Sequence, residues 1–108
     1  MRRGELWTVA GGVYASKPRP ALVLQEDLFA GTASVTVAPL ASTLVDAPLL
    51  RVRVGAGDIT GLQHESQVMI DKVTTVRRDN MGAQVGRLAA ENLVEVERAL
   101  MAFLGLAR

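Results

Sequence analysis

The sequence predicts a small, mainly β protein: a strongly bent sheet or a partly open barrel, followed by one C-terminal α-helix. Three observations lead to this class. The chain has 108 residues, which is the size of one domain, so residues 1–108 are expected to form a single domain. Six or so short runs have the alternation or the apolar character of strands. From residue 89 onward the apolar period changes from two to about 3.6, as in a helix that packs on a sheet.

The first half of the chain contains three predicted strands. Residues 6–10 are β-branched and aromatic and end at two glycines, which predicts a first strand. Residues 13–20 are expected to be a loop, closed by prolines that hold the backbone extended. Residues 21–25 form a continuous apolar run typical of a buried central strand, and residues 26–29 a short helical turn. Residues 34–40 alternate, and Pro39 places the end of this third strand at an edge or a bulge.

The second half contains the remaining strands and the helix. Residues 49–54 alternate, and two short strands are expected at 67–70 and 73–76, with a bend at 71–72 between them. A last strand is predicted over 84–88. The helix then carries an apolar stripe that is expected to pack on the sheet and consists of Leu93, Val96, Leu100, Phe103 and Leu104.

Composition excludes several classes of function. Twelve Lys and Arg against eleven Asp and Glu give a net charge of +1, which argues against a protein that holds nucleic acid by bulk charge. Lys17 and Lys72 are the only lysines, and arginine is the side chain suited to bidentate phosphate contacts. The absence of cysteine excludes a disulfide framework, a thiolate zinc site and a cysteine nucleophile. A single histidine, His64, rules out a His-cluster metal site and is expected to be a solvated loop residue. No signal-peptide core or membrane span is expected, so a cytoplasmic protein is predicted.

A few polar side chains are candidates for function. Arg19 lies between two prolines, which restrict its backbone and favour a pre-positioned guanidinium for an anion; a structural arginine at a strand end is the alternative. Ser42 and Thr43 follow the third strand and offer two hydroxyls, or serve only as turn residues. Tyr14 is the aromatic residue considered for stacking on a base. Arg77 and Arg78 form a small basic pair that is either a rim contact or a solvated surface.

The sequence resembles the MazF/PemK toxin family in ordered blocks that extend over essentially the whole chain. These blocks are residues 1–7, 17–25 (with Arg-Pro-Ala-Leu-Val-Leu), 34–40, 61–62 with 66–76 (with Asp-Lys-Val-Thr-Thr-Val), and 86–88 leading into the terminal helix. The resemblance implies an SH3-like β-barrel with a C-terminal helix, working as a homodimer. It also implies sequence-specific, ribosome-independent cleavage of single-stranded RNA without a metal or other cofactor. The implied partner is a MazE-type antitoxin whose disordered segment occupies the RNA groove.

The resemblance also implies roles for individual residues. The catalytic arginine of the family falls on Arg19, which would stabilise the phosphorane formed when a 2′-hydroxyl attacks the adjacent phosphorus. The family has a threonine directly after the third strand, where this chain has Ala41. Ser42 is therefore expected to supply the hydroxyl, with Thr43 as the alternative. RNA contacts are expected from a set of flanking residues: Tyr14, Lys17, Asp71, Lys72, Arg77 and Arg78.

Two other functions remain open from the sequence. Because Ala41 replaces the family threonine, the chain could be a non-catalytic or weakly active module that binds RNA or antitoxin. A CcdB-like topoisomerase poison on the same barrel is ranked last, because the two quoted motifs favour the RNA-cleaving branch. Dimerisation is expected to cover exposed apolar residues, with Leu49 and Leu50 as candidates.

Overall fold

A computed structural model describes residues 1–11 and 15–107 of the chain. In these residues the protein has seven strands and one α-helix. The strands are β1 (Glu5–Gly11), β2 (Ala15–Val23), β3 (Ser34–Ala41), β4 (Arg51–Val54), β5 (Ser66–Met69), β6 (Thr74–Arg77) and β7 (Met81–Arg87), and the helix is α1 (Ala90–Phe103). Three short 3-10 helices span Asp27–Phe29, Ile70–Lys72 and Arg78–Asn80. The predicted mainly β class with a terminal helix is confirmed.

The strands form one bent antiparallel sheet in the order β4-β5-β3-β2-β1-β7, with β6 also paired to β3. Strand β3 is the point where the sheet divides. Its first half, from Ser34 to Val37, pairs with β6, whereas Leu40 and Ala41 pair with β5. Pro39 lies between these two segments. A proline cannot donate to a ladder, so the predicted irregularity at Pro39 is a change of neighbouring strand within the sheet.

Strands β1, β2 and β3 bury side chains on both faces, because successive residues of a strand point to opposite sides. One face contributes Leu6, Leu22 and Leu40 to a core closed by β4, β5 and the helix. The other face contributes Val9, Ala21 and Val37 to a second cluster that Val76 of β6 completes. The centre of the sheet is therefore covered on both faces. Polar side chains that could bind a ligand are expected where the strands end.

The prediction of a loop over residues 13–20 is wrong from residue 15 onward. Strand β2 begins at Ala15, and Pro20 and Arg19 pair with Thr8 and Val9 of β1. Proline fixes φ at a value compatible with extended backbone, and β3 pairs with β2 only from Ala21 onward, so the missing donor of Pro20 interrupts no β2–β3 pair. Local composition indicated a loop, and the ladder to β1 overrides it.

Two further expectations need correction. The alternation over 49–54 predicts a strand from Leu49, but β4 begins at Arg51 and the chain turns before it, with the Leu50 and Arg51 amides both donating to the Ala47 carbonyl at 2.9 Å. The apolar stripe of the helix does not all face the sheet. Val96 is fully buried, whereas Phe103 and Leu104 near the end of the helix are exposed. The apolar stripe is thus buried in the middle of α1 and exposed to solvent at its C-terminal end.

Candidate functional site

The main candidate site is a groove of about 470 Å³ where β2 and β3 separate. The groove receives side chains from β2, from β3 and the loop after it, and from the segment 69–76. We call it the hydroxyl groove. Its lining residues are Arg19, Pro39, Leu40, Ala41, Ser42, Thr43, Met69, Lys72, Thr74, Thr75 and Val76. The groove brings together four of the residues singled out from the sequence: Arg19, Ser42, Thr43 and Lys72.

The pairing of β2 explains why Arg19 reaches this groove. Ala21 pairs with Pro39, and no β2–β3 pair is formed beyond that point within residues 1–11 and 15–107. Arg19 lies two residues before Ala21 and therefore on the same face of the strand. Its side chain thus lies on the face of β2 that carries the second core cluster, at the point where β2 and β3 no longer pair and the groove opens. Pairing with Val9 of β1 holds the backbone of Arg19, while its side chain stays exposed.

The hydroxyls of Ser42 and Thr43 enter the groove from the loop that follows β3. The strand ends at Ala41, whose backbone pairs with Gln67 of β5. Ser42 and Thr43 come directly after this last paired residue, and both are exposed. Ala41 also lines the groove. Two loop-borne hydroxyls therefore lie beside a strand position that has none.

Lys72 is the last residue of the 3-10 helix Ile70–Lys72. The other two residues of this helix, Ile70 and Asp71, are held by contacts with the rest of the protein. Ile70 is fully buried in the main core. The carboxylate of Asp71 accepts a hydrogen bond from Arg51, whose guanidinium also donates to the Leu50 carbonyl at 3.1 Å. Desolvation acts to raise the pKa of Asp71, but the hydrogen bond and charge of Arg51 outweigh it and lower the pKa below its usual value. Asp71 thus faces Arg51 and does not line the groove, whereas the exposed Lys72 does.

The charges of the hydroxyl groove suit an anion. Its lining residues include two cations, Arg19 and Lys72, and four hydroxyl side chains, with no carboxylate among the described residues. Within residues 1–11 and 15–107, neither cation makes a hydrogen bond or an ion pair through its side chain. Arginine and lysine with free donors, next to hydroxyls that can donate or accept, are the groups that bind phosphate oxygens.

A second groove, of about 500 Å³, lies between the loop after β3, strand β4 and the helix. It has arginines as well, but they stand among acidic side chains. Arg51 is paired with Asp71, and Asp46 and Glu95 also line this groove. The carboxylates of Asp46 and Glu95 repel an anion and offset much of the attraction of these arginines. The hydroxyl groove is therefore the better candidate for an anionic ligand.

The sequence reasoning missed part of the hydroxyl groove. Thr74 and Thr75 line it and are exposed, but the sequence pattern places them only in a strand and in a family motif and not in a site. Two adjacent threonines shortly after the candidate Lys72 were the available signal. Their distance in sequence from Arg19 and Ser42 hid the connection, which depends on the pairing of β6 with β3.

The other predicted contact residues lie outside the groove. Lys17 is exposed and lies on β2 two residues before Arg19, in the segment where the β1–β2 register shifts. Arg77 is exposed, and a nitrogen of its guanidinium lies 3.6 Å from a carboxylate oxygen of Asp79. The Nε of Arg78 donates to the Thr32 carbonyl at 2.8 Å, which ties this arginine to the loop before β3. Tyr14 lies outside the described residues. Their proposed contacts with RNA stay predictions.

Groups of metal-binding side chains and membrane-spanning helices are both absent from the described residues. No three His, Cys, Asp or Glu side chains in it are grouped closely enough to hold a metal ion. No helix within residues 1–11 and 15–107 combines the length and the apolar character that a membrane span requires.

Known proteins resemble the chain over its whole length. The family profile described as "PemK-like, MazF-like toxin of type II toxin-antitoxin system" matches residues 2–104. A protein named "Probable endoribonuclease MazF" from Mycolicibacterium smegmatis is 52% identical, and the match covers 99% of each chain. The solved structure of the Mycobacterium tuberculosis toxin MazF-mt6 has a TM-score of 0.83 at 26% identity, covering 96% of this chain and 99% of that one.

A MazE-MazF crystal structure from Deinococcus radiodurans also matches, with a TM-score of 0.79 at 25% identity. The match covers 97% of this chain and 96% of the other. The family profile and the relative with 52% identity each extend over nearly the entire sequence, including both strands that form the hydroxyl groove. The chain therefore belongs to the PemK-like, MazF-like toxins of type II toxin–antitoxin systems.

Proposed function

We propose that this toxin is an endoribonuclease that cleaves single-stranded RNA within the hydroxyl groove, using its own side chains and no metal ion. The observation that carries the proposal is the composition of the groove: two cations and four hydroxyls without a carboxylate among the described residues. The endoribonuclease name of the relative with 52% identity supports the same activity. We further propose that the protein acts in the cytoplasm, where its RNA substrates are.

In this reaction the 2′-hydroxyl of one nucleotide attacks the adjacent phosphorus, and the bond from phosphorus to the 5′-oxygen breaks. The products are a 2′,3′-cyclic phosphate and a 5′-hydroxyl. The phosphorane that forms on the way carries more negative charge than the substrate, so pre-positioned donors lower the barrier. Arg19 is the group proposed to bind its non-bridging oxygens, because a guanidinium presents several donors in a fixed plane.

Two protons must also move, one from the attacking 2′-hydroxyl and one to the leaving 5′-oxygen. An arginine side chain stays protonated and is a poor base. We propose that Ser42 assists proton transfer, with Thr43 as the neighbouring alternative, since each hydroxyl can both donate and accept a hydrogen bond. Lys72 is proposed to bind a phosphate of the same strand, and Thr74 and Thr75 to contact the RNA at the far side of the groove.

The proposal is tested by incubating the purified protein with a mixed-sequence single-stranded RNA in the presence of EDTA. We expect cleavage at defined sites to continue unchanged after chelation, because none of the proposed groups needs a metal to act. The new 3′ ends are expected to resist ligation and polyadenylation until the cyclic phosphate is opened and removed. Mass spectrometry of the fragments identifies the cyclic phosphate directly.

Two outcomes would contradict the proposal. Tight RNA binding without a cyclic-phosphate product, even at equimolar enzyme, would indicate a non-catalytic binding module. Inhibition of a topoisomerase with the RNA left intact would place the protein with the CcdB-like poisons. If EDTA abolished cleavage and Mg²⁺ restored it, the protein would still be an endoribonuclease, but the metal-independent mechanism would be wrong.

We propose that the partner in the cell is a MazE-type antitoxin, as the MazE-MazF complex of Deinococcus radiodurans suggests. An acidic, disordered segment of such a partner would meet the same two free cations as RNA does. Antitoxin and RNA are therefore expected to compete for the hydroxyl groove.

We also propose that the toxin is a homodimer that buries an apolar face near the end of α1. This face includes a groove of about 450 Å³ lined by Pro48, Leu49, Leu50, Arg98, Ala99, Ala102 and Phe103. Leu49 is 84% exposed and Phe103 48% exposed. Contiguous apolar surface of this kind marks association sites in soluble proteins, and a second copy of the chain is the occupant that we propose.

Replacing Leu49 with glutamate is expected to convert the dimer to a monomer. The side chain makes little contact within one chain, so its removal leaves the fold intact while a charge opposes burial at the interface. Light scattering coupled to size exclusion should report the chain mass of 11.5 kDa for this variant and twice that mass for the wild type. Leu28→Glu is the matched control, because Leu28 is 82% exposed but lies in the 3-10 helix Asp27–Phe29. A dimer that survives Leu49→Glu would refute this interface.

A further inference from the structure

The side chain of Gln67 is buried beneath the loop that carries Ser42 and Thr43. Gln67 is only 2% exposed to solvent, although its side-chain amide has a donor and an acceptor that both need hydrogen-bond partners. Burial of an unpaired amide is costly, so its hydrogen-bond partners are informative. Both belong to one residue of the loop: Gln67 Nε2 donates to the Val45 carbonyl at 2.9 Å, and Gln67 Oε1 accepts from the Val45 amide at 3.0 Å.

Gln67 also holds the start of the same loop. In the β3–β5 ladder its backbone is the partner of Ala41, the last residue of β3. The loop therefore leaves the sheet beside Gln67 at Ala41 and returns to Gln67 at Val45. Only residues 42–44 lie between these two attachment points. A loop this short has few conformations once both of its ends are held.

The hydroxyls of Ser42 and Thr43 have no such restraint of their own. Within the described residues, neither hydroxyl forms a hydrogen bond to another protein group. Their positions are thus determined by the backbone of the closed loop. In contrast, a side chain at position 41 would be held by the β3–β5 ladder itself, whatever the loop does.

We infer that Gln67 is a positioning residue for RNA cleavage: its amide closes the loop from Ala41 to Val45 and so holds the hydroxyl of Ser42 in the groove beside Arg19. This inference rests on the proposed function and deepens it. A displacement of about 1 Å in a reacting group can lower a rate by around a hundredfold. Gln67 acts without touching the substrate.

The variant Gln67→Leu removes both hydrogen bonds at nearly constant volume. Val45 is partly exposed, so water can satisfy its amide and carbonyl, and the protein is expected to fold. We expect kcat for RNA cleavage to fall about 10- to 100-fold, with little change in KM, because Arg19 and Lys72 still bind the phosphates. Gln67→Glu keeps the acceptor but loses the donor, and is expected to give an intermediate kcat.

Gln25→Leu is the matched control. The Gln25 amide also bridges a loop, donating to the Phe29 carbonyl at 2.9 Å and accepting from the Thr36 amide at 3.1 Å, but no residue of the loop between Gln25 and Thr36 lines the hydroxyl groove. We expect this variant to lose comparable stability without a change in kcat. Equal losses of kcat in Gln25→Leu and Gln67→Leu would show a general structural effect and overturn the inference.

A second test places a hydroxyl on the strand. In an Ala41→Thr background the new hydroxyl does not depend on the loop, so adding Gln67→Leu is expected to cost much less in kcat than it does in the wild type. The same cost in both backgrounds would overturn the inference, since a purely structural role would not respond to a hydroxyl at position 41.

Amide exchange of Val45 separates this inference from the proposed function. We expect protection of the Val45 amide in the wild type, its loss in Gln67→Leu and its retention in Gln25→Leu. Unchanged protection in Gln67→Leu would refute the loop closure, whether or not the protein cleaves RNA. If the wild type cleaves no RNA while the protection behaves as expected, the proposed function fails and the closed loop stands without a role in cleavage.

Discussion

Replacement of Arg19 by alanine is expected to lower the rate of RNA cleavage by about 10²- to 10³-fold, the loss typical of removing one donor to a developing negative charge. The guanidinium lines the hydroxyl groove and is not engaged by another side chain in the described residues. It is therefore available to the phosphorane, and its loss leaves Lys72 as the one cation among the described residues that line the groove. Single-turnover cleavage of a defined RNA measures the effect.

The fold should not change in this variant, because the Arg19 side chain is exposed and its backbone stays paired to β1. Thermal unfolding checks this expectation. Arg19→Lys is expected to keep part of the activity, since lysine retains the charge but not the planar set of donors. Arg53→Ala serves as the control, because Arg53 is exposed and lies 3.8 Å from Glu65, away from the groove. Cleavage by Arg19→Ala at the wild-type rate would show that this arginine is not catalytic.

Replacement of Ser42 by alanine is expected to give the second-largest loss, about a hundredfold in kcat, which is at the low end for removing a proton-transfer group. The change deletes one exposed hydroxyl and leaves the attachment of the loop at Ala41 and Val45 intact. RNA affinity should stay near the wild-type value, because the two cations of the groove are untouched. The loss is expected in kcat and not in KM.

Thr43→Ala is the internal control for Ser42→Ala, because it removes the adjacent hydroxyl from the same loop. We expect a smaller loss of kcat for Thr43→Ala. A larger loss in Thr43→Ala would transfer the proton-transfer role to Thr43. Full activity in the double variant Ser42→Ala/Thr43→Ala would mean that neither hydroxyl takes part, and would leave Thr74 and Thr75 as the other hydroxyls among the described residues of the groove.

Most of the strands could be predicted because their signals are local. The apolar run at 21–25 overlaps the end of β2, and the alternation at 34–40 lies inside β3; burial on one or both faces selects these patterns. The prediction was wrong where a long-range contact decides the outcome. The stretch from Lys17 to Pro20 has the composition of a loop, and it becomes strand only because β1 pairs with it.

The C-terminal end of α1 is a second place where the local sequence pattern does not determine the contacts of a residue. The helical period at Phe103 and Leu104 is real, but periodicity cannot tell which face of a helix finds a partner within the chain. In the structure these side chains are exposed to solvent. An apolar stripe predicts burial, and a second copy of the chain is the partner that we propose for it.

Local patterns in the sequence are enough to predict the class of the fold, the family and several separate candidate residues, among them Arg19, whose flanking prolines restrict the backbone. Only the tertiary structure brought Arg19 together with Ser42, Lys72 and the two threonines of β6, directed Asp71 to Arg51, and placed Gln67 under the loop after β3. These residues are far apart along the chain. Their contacts depend on which strand pairs with which, and β3 changes its neighbour from β6 to β5 at Pro39. Local patterns specify strands, but the register between strands and the loops pinned across them arise from packing of the whole sheet.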